Sequence, residues 1–226
     1  MTETTSAVEP LLELRGVNKS FGVVHVLHDV DFAVYPGQVT ALVGDNGAGK
    51  STLVKVIAGI YGRDSGDYLF EGKPVDVNGP RDVAALGVEV VYQDLALCDN
   101  LDIVQNMFLG RELKSGPSLD EATMEARALD TLGSLSVRTV KSVRQSVASL
   151  SGGQRQTVAI AKAVLWNSKI VLLDEPTAAL GVAQTRQVLD LVRRLADRGL
   201  GVVLISHNMS DVFEVADRIT ALYLGR

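Results

Sequence analysis

The sequence lacks most of the features that would direct a chain out of the cytosol or build a metal centre from its own side chains. Cysteine occurs once, at Cys98, which excludes a disulfide within the chain, and Cys and His nowhere have the spacing of zinc ligands. No apolar run approaches the roughly 18 residues that a membrane-spanning helix needs. The first ten residues are polar and acidic, which suits a ragged terminus and not a signal peptide. We therefore expect a soluble, cytosolic protein that meets a membrane only through a partner.

Basic residues are in the minority. The chain has 22 Lys and Arg against 27 Asp and Glu, so its formal net charge is -5 at pH 7. Sequence-independent binding to nucleic acid requires a positive surface, so this balance argues against a nucleic-acid partner. The 226 residues are 46% hydrophobic, which provides ample material for a core and excludes general disorder. We predict a single domain over residues 1–226.

Short β-rich segments alternate with helical patterns, which predicts an α/β fold with an N-terminal antiparallel β subdomain and a buried, mainly parallel sheet. The chain ends at Arg226 just after a predicted strand, which favours a missing C-terminal part. The predicted strands are Leu11–Val17, Val24–Val34, Val39–Val43, Tyr68–Phe70, Pro74–Val77, Val88–Tyr92, Ile170–Leu173, Gly201–Ile205 and Arg218–Leu224. The predicted helices are Lys50–Ile60, Arg81–Leu86, Leu101–Leu109, Leu119–Leu135, Gly153–Trp166, Val182–Asp197 and Asn208–Ala216. Strand signals weaken between residues 94 and 149, which predicts an inserted helical subdomain.

A glycine-rich loop between the predicted strand Val39–Val43 and the following helix matches the phosphate-loop pattern of Gly, four residues, then Gly-Lys-Ser. Its glycines allow successive backbone N–H groups to turn inward, and these donors with the helix N-terminus form a nest for phosphate oxygens. Lys50 adds charge for the β- and γ-phosphates, and the Ser51 hydroxyl can ligate Mg²⁺. The alternative is a glycine-rich turn that only caps a helix. The predicted nucleotide-binding residues are Gly44, Asp45, Asn46, Gly47, Ala48, Gly49, Lys50, Ser51 and Thr52.

Polar residues follow three other predicted strands. Asp174 ends a buried strand and is the expected Mg²⁺ partner, and Glu175 can polarise an attacking water as a general base. Gln93 follows another strand and can reach both the metal and the water. His207 follows a third, where a neutral imidazole can donate or accept near the γ-phosphate. The alternatives are strand-end acids, a surface glutamine and a structural histidine.

A second anion-seeking helix start occurs at Leu150–Gln154. Ser151 is placed to cap the helix, and Gly152 and Gly153 leave its N–H groups uncovered, with Gln154 completing the motif. An ordinary capped helix with a glycine hinge is the alternative. One nucleotide has a single phosphate tail, so two such sites must approach it from opposite sides. We therefore expect the second site to belong to another subunit.

Together these motifs resemble, over nearly the whole chain, the nucleotide-binding subunits of ABC transporters. The phosphate loop, Gln93, Leu150–Gln154, the Asp174–Glu175 pair and His207 all occur in the order of that family. The resemblance implies a P-loop NTPase core in which two subunits sandwich two ATP molecules, each between one phosphate loop and the opposite Ser-Gly-Gly segment. It also implies that an aromatic ring lies against adenine. Phe21 occupies that place, and Val26 is a weaker candidate for the other side of the base.

Four segments resemble more narrowly those of single-cassette sugar importers of the ribose, xylose and fructose group, notably the fructose type: Val43–Ser51, Tyr92–Leu97, Asn106–Glu112 and Ser206–Met209. This resemblance implies an ATPase that uses ATP and Mg²⁺ to energise import of a sugar through a membrane permease, and indirectly a sugar-binding protein. Such a subunit lies on the inner face of the cell membrane. One position departs from the family: Gly181 replaces the usual aspartate after Ala178-Ala179-Leu180, so side-chain coupling across the dimer is not carried over to this chain.

Apolar residues between Asp94 and Leu109 are the expected docking surface for the permease, although the same residues could instead pack the subdomain. They are Leu95, Leu97, Leu101, Ile103, Met107 and Phe108. Two other functions remain open: an ABC-type ATPase that acts on DNA or ribosomes, and a phosphate-loop kinase. The acidic charge, the single cassette and the lack of a long heptad-bearing insertion argue against the first. The Ser-Gly-Gly-Gln segment has no role in the second.

Overall fold

The computed structural model describes residues 8–135, 137, 140 and 142–226. Most of the opening segment predicted to be ragged, residues 1–7, lies outside the described residues. The same holds for four positions of the predicted helical subdomain, Ser136, Arg138, Thr139 and Lys141.

The described chain alternates strands and helices, as the sequence predicts. In chain order the strands are β1 (Leu12–Phe21), β2 (Val24–Val34), β3 (Val39–Val43), β4 (Ser65–Phe70), β5 (Lys73–Pro74), β6 (Val88–Val91), β7 (Lys114–Ser115), β8 (Ser118–Leu119), β9 (Ile170–Asp174), β10 (Gly201–Ile205) and β11 (Arg218–Ala221). The α-helices are α1 (Lys50–Ile57), α2 (Pro80–Ala85), α3 (Ile103–Phe108), α4 (Glu121–Ser134), α5 (Gly152–Val164), α6 (Val182–Asp197) and α7 (Met209–Val215).

Two sheets form the α/β body. An antiparallel sheet has the order β2-β1-β4-β5, and a five-stranded sheet has the order β11-β3-β10-β9-β6 with every pairing parallel. All residues of β3 and β10 are buried, and so are four of the five residues of β9. Strands covered on both faces are mainly apolar, which explains why Val, Leu and Ile dominate β9 and β10. Thr40 of β3 is a buried polar exception. The predicted fold class is confirmed.

Some predicted boundaries are wrong for local reasons. Helix α1 ends at Ile57 instead of Ile60, because Gly59 takes a φ of 71° and a Cβ there would lie 2.8 Å from the carbonyl oxygen of Gly79. Strand β11 ends at Ala221 instead of Leu224, whose φ of 47° belongs to a turn closed by hydrogen bonds between Tyr223 and Arg226. The two-residue hairpin of β7 and β8 was not predicted, since two residues carry no periodicity.

The regular structure between β6 and α5 is mainly helical and consists chiefly of α3 and α4. Helix α3 packs against α4 and α5, and Ile103, Met107 and Phe108 are at most 1% exposed. These three side chains therefore pack the interior and cannot dock a partner, whereas Leu95 and Leu97 are only partly buried. No helix in the described part of the chain has the length and hydrophobicity needed to cross a membrane.

A fully buried asparagine, Asn106, organises the loop that precedes α3. Its Oδ1 accepts from the Cys98 N–H at 2.7 Å, and its Nδ2 donates to the carbonyl oxygens of Cys98 at 2.9 Å and Asp102 at 3.0 Å. A buried amide that serves both donors and acceptors of the backbone replaces the water that these groups would otherwise bind. This side chain therefore holds the loop from the side of α3.

We expect Asn106→Ala to lower the free energy of unfolding by about 2–3 kcal/mol, because it leaves the Cys98 N–H without a partner and removes a donor from the carbonyl oxygens of Cys98 and Asp102. The midpoint of urea unfolding measures the change. Asn100→Ala, which truncates an exposed asparagine of the same loop, is the control and should stay within about 0.5 kcal/mol of the parent. Equal stability of the two variants would contradict the role of Asn106.

Candidate functional site

A cleft of about 940 Å³ lies at the carboxyl ends of the parallel strands. Strands β3, β6, β9 and β10 run in one direction, so the residues that follow them meet at one edge of the sheet. The cleft therefore gathers residues that are far apart in sequence. Those predicted as site residues that line it are Val26, Gly44, Asp45, Asn46, Gly47, Gly49, Lys50, Ser51, Thr52, Gln93, Asp174, Glu175 and His207.

The glycine-rich loop has a backbone that only glycine allows at its first position. Gly44 has a φ of 145°, and a Cβ there would lie 2.2 Å from the carbonyl oxygen of Leu222. The Lys50 ammonium donates to the carbonyl oxygens of Gly44 at 2.5 Å and Asp45 at 2.9 Å, so its charge lies over the loop. Ala48 is buried and does not line the cleft, and its N–H donates to Asp45 O at 3.1 Å.

The oxygen atoms in the cleft suit a hard cation. Ser51, Gln93 and Asp174 offer a hydroxyl, an amide oxygen and a carboxylate, which are donor types that Mg²⁺ accepts. In the described part of the chain, no three His, Cys, Asp or Glu side chains are grouped to hold a metal by themselves. The donor set thus fits an ion that takes its other ligands from phosphate oxygens and water.

Burial makes the Asp174 carboxylate harder to ionise. Its pKa is raised above the usual value, first by desolvation and then by the negative charge of Glu175, while Lys50 and Lys55 partly oppose the shift. The neighbouring Tyr92 has a raised pKa for the same reasons, burial and the Asp174 charge. The cleft is therefore an environment that favours the arrival of positive charge.

Glu175 and His207 are in direct contact. Glu175 Oε1 accepts from the His207 backbone N–H at 3.1 Å and lies 2.8 Å from His207 Nδ1. Glu175 has a φ of 48°, a left-handed conformation that costs a non-glycine residue about 1–2 kcal/mol. Its own N–H donates to Ile205 O at 2.9 Å, which fixes this turn to the end of β10.

A buried acid that the sequence analysis missed supports the loops that follow β9 and β10. Asp211 is 5% exposed, and it accepts from Thr177 Oγ1 at 2.6 Å and from Asn208 Nδ2 at 2.9 Å. It therefore ties the residues after Glu175 to the residue after His207. Its only sequence signal is that it is an acid in the first turn of α7, the helix that begins shortly after His207.

Phe21 lies outside the residues that line the cleft, although Val26 lines it. The Phe21 ring is 42% exposed and meets Tyr61 edge-to-face, with ring centroids 5.0 Å apart. The structure thus places an exposed aromatic ring on the N-terminal sheet, and its stacking on adenine stays a prediction.

The Ser151–Gln154 segment also lies outside the cleft. Ser151 caps α5 in a capping box: its Oγ accepts from Gln154 N at 3.4 Å, and Gln154 Oε1 accepts from Ser151 N at 2.9 Å. A Cβ on Gly152 would lie 3.2 Å from Leu180 Cδ2, and one on Gly153 would lie 3.1 Å from the Gln184 side chain. The described chain therefore does not bring this segment to its own phosphate loop.

Comparison with known proteins gives a consistent result. The family model described as ABC transporter matches residues 27–178. The fructose import ATP-binding protein FrcA of Rhizobium meliloti is 49% identical, and the match covers 97% of this chain and 87% of that protein. The xylose/arabinose import ATP-binding protein XylG of Sulfolobus acidocaldarius is also 49% identical, over 96% and 86%. A ribose import ATP-binding protein, RbsA 2 of Escherichia coli O157:H7, is 41% identical over 96% of this chain but only 42% of its own length.

Solved structures agree with these relatives. A nucleotide-free ATP-binding cassette from an ABC transporter superposes with a TM-score of 0.85 at 25% identity, covering 96% of this chain and 89% of that chain. A cassette of an ABC transporter in its ADP conformation gives a TM-score of 0.85 at 26% identity with the same coverage.

We expect Asp174→Asn to stabilise the nucleotide-free protein at about pH 7, because it removes a buried charge beside Glu175. A carboxyl with a raised pKa in the folded state destabilises that state once it ionises, and the penalty disappears when it is protonated in both states. The gain should therefore shrink as the pH falls toward about 4. Thermal melts at both pH values measure it, with the exposed Asp190→Asn as control. Lower stability of Asp174→Asn at neutral pH would contradict the electrostatic reading.

Proposed function

The chain belongs to the ABC transporter family of ATP-binding proteins, and from this premise we propose that it hydrolyses ATP to energise import of a sugar through a membrane permease. The observation that carries the proposal is the meeting of the phosphate loop, Gln93, Asp174, Glu175 and His207 in one cleft. The sugar is supported by the relatives at 49% identity, which are named as fructose and xylose/arabinose import ATP-binding proteins. The same names favour an importer over an ATPase that acts on DNA or ribosomes, and over a kinase.

Binding begins at the phosphate loop. Its N–H groups and the N-terminus of α1 receive the phosphate oxygens, and Lys50 exchanges its bonds to Gly44 O and Asp45 O for the β- and γ-phosphates. Ser51, Gln93 and Asp174 would hold Mg²⁺, which supplies positive charge against the negative charge of the phosphates.

Glu175 acts as the general base in this proposal. Its Oε1 is engaged by His207, so Oε2 takes the proton of the water that attacks the γ-phosphorus. The bond between the γ-phosphorus and the bridging oxygen breaks, and its electrons go to ADP. His207 orients the carboxylate and lies at the cleft wall, where its imidazole can donate to the γ-phosphate. Asp211 acts indirectly, because it holds the loops that carry these two residues.

A second cassette completes the site. Ser151, Gly152 and Gly153 lie outside the cleft of their own chain, which supports a dimer in which they grip the opposite ATP. In this assembly Phe21 and Val26 receive the adenine. Residues 1–226 act as one nucleotide-binding domain whose helical part, about 94–149, meets the permease. The subunit would lie at the inner face of the membrane, and a sugar-binding protein would deliver the cargo to the permease. We expect neighbouring reading frames to encode these partners.

We expect Glu175→Gln to retain ATP binding and to slow hydrolysis by about 10²–10⁴-fold, the usual contribution of a general base. Because ATP then persists, the variant should run as a dimer on a sizing column when ATP is present. Phosphate release measures the rate, and Glu214→Gln, which neutralises an exposed acid of α7, is the matched control. Parent-like hydrolysis by Glu175→Gln would place the base elsewhere.

We expect Ser151→Arg to bind ATP as a monomer but to lose hydrolysis, because the large side chain obstructs closure over the opposite γ-phosphate. Mixing it with Lys50→Ala protein should restore part of the activity. In the mixed dimer one site carries both lesions and the other carries neither. Each variant mixed with more of itself is the control. If mixed dimers form and no activity returns, Leu150–Gln154 serves only its own chain.

A further inference from the structure

The loop that follows Gln93 is joined by hydrogen bonds to the segment that leads into α5. The Asp99 carbonyl oxygen accepts from Ser146 Oγ at 2.8 Å and from Ala148 N at 3.2 Å. The Leu101 carbonyl oxygen accepts from Val147 N at 3.1 Å. We call these stretches the 94–102 loop and the 146–150 segment. They are far apart in sequence and move together only if these bonds hold.

Arg155 adds a side-chain connection at the same place. Its Nη1 donates to Asp99 Oδ1 at 2.9 Å, while Nε and Nη2 donate to the carbonyl oxygens of Leu150 and Ala148, both at 3.3 Å. Arg155 follows directly after Ser151–Gln154, in the first turns of α5. One planar guanidinium therefore spans the 94–102 loop, the 146–150 segment and the helix that begins with the second anion site.

The exposure of the pair argues against a mainly stabilising role. The side chain of Asp99 is 62% exposed and that of Arg155 is 32% exposed, and ion pairs in such positions add little to folding stability. The pair does fix the position of Asp99 relative to α5, and the loop is held from its other side by buried Asn106. Geometry, more than stability, is what this contact provides.

We propose that the Asp99–Arg155 pair transmits movement between the 94–102 loop and the Ser151–Gln154 segment. The inference rests on the proposed function, in which this loop adjoins the permease and Ser151 grips the ATP of the opposite cassette. Asp99 and Arg155 are positioning residues, because they act through Ser151 and touch no reacting atom. Coupling between two sites is reciprocal, so closure of the ATP-bound dimer displaces the loop just as the permease displaces Ser151.

The chain carries its own reporter for this movement, since its single cysteine, Cys98, is adjacent to Asp99 and partly exposed. An environment-sensitive maleimide dye is attached to Cys98 in the full chain bearing Glu175→Gln, and ATP is added. We expect a fluorescence change in this parent and an at least about fivefold smaller change with Arg155→Gln or Asp99→Asn. Asp99→Glu keeps the carboxylate and should retain most of the change. A merely structural contact would lower the melting temperature of Asp99→Asn and leave the ATP-dependent fluorescence change in place.

Arg15→Gln is the matched control, because it breaks an exposed arginine–carboxylate pair on β1 and should leave the signal unchanged. Thermal melts check folding, and a sizing column checks the ATP-dependent dimer in each protein. Variants that dimerise and give the full change overturn the inference. A variant that fails to dimerise also overturns the inference, because the Asp99–Arg155 pair would then act on closure itself. Loss of the fluorescence change in Asp99→Glu overturns it as well. A parent that does not dimerise with ATP overturns the proposed function instead, and the inference with it.

Discussion

The parallel register of four strands decides where every candidate catalytic group lies. Ile205 of β10 is aligned both with Leu42 of β3 and with Asp174 of β9, and Leu173 is aligned with Val91 of β6. The loops after these strands therefore begin at the same level. A shift of one residue in any strand would turn its buried side chains to the other face of the sheet and displace its loop. The apolar core thus fixes the positions of the polar groups in the cleft.

Much of this arrangement could be predicted from the sequence, because buried parallel strands and phosphate loops leave strong local patterns. Strands β2, β3 and β10 and helix α6 have the bounds that the sequence predicts. What remained hidden depends on partners distant in sequence. Asp211 and Asn106 read as ordinary polar residues until the loops they serve are in place. The sequence likewise shows that Phe108 is apolar, but only the fold shows that the protein interior, and not a partner, covers it.

The candidate catalytic residues are held in positions that are unfavourable for the folded chain alone. Asp174 carries a raised pKa beside another acid, and Glu175 has a left-handed backbone. Such costs persist because the surroundings leave no alternative: β10 fixes the turn through Ile205 O, and Asp211 binds the residues beyond it. A site prepared in this way needs little rearrangement when a cation and phosphates arrive, which is the general advantage of preorganisation.

The close contact between the starts of α5 and α6 affects how the phenotype of a mutation at Gly152 or Gly153 should be interpreted. Gly152 is exposed, so a damaging substitution there would ordinarily be attributed to lost nucleotide contact. Yet a Cβ at Gly152 would lie only 3.2 Å from Leu180 Cδ2, and one at Gly153 only 3.1 Å from the Gln184 side chain. A side chain at Gly152 therefore also presses on the loop that follows Glu175, and one at Gly153 presses on α6. In the proposed dimer, an allele at Gly152 would therefore affect both sites, and its phenotype would not separate binding from hydrolysis.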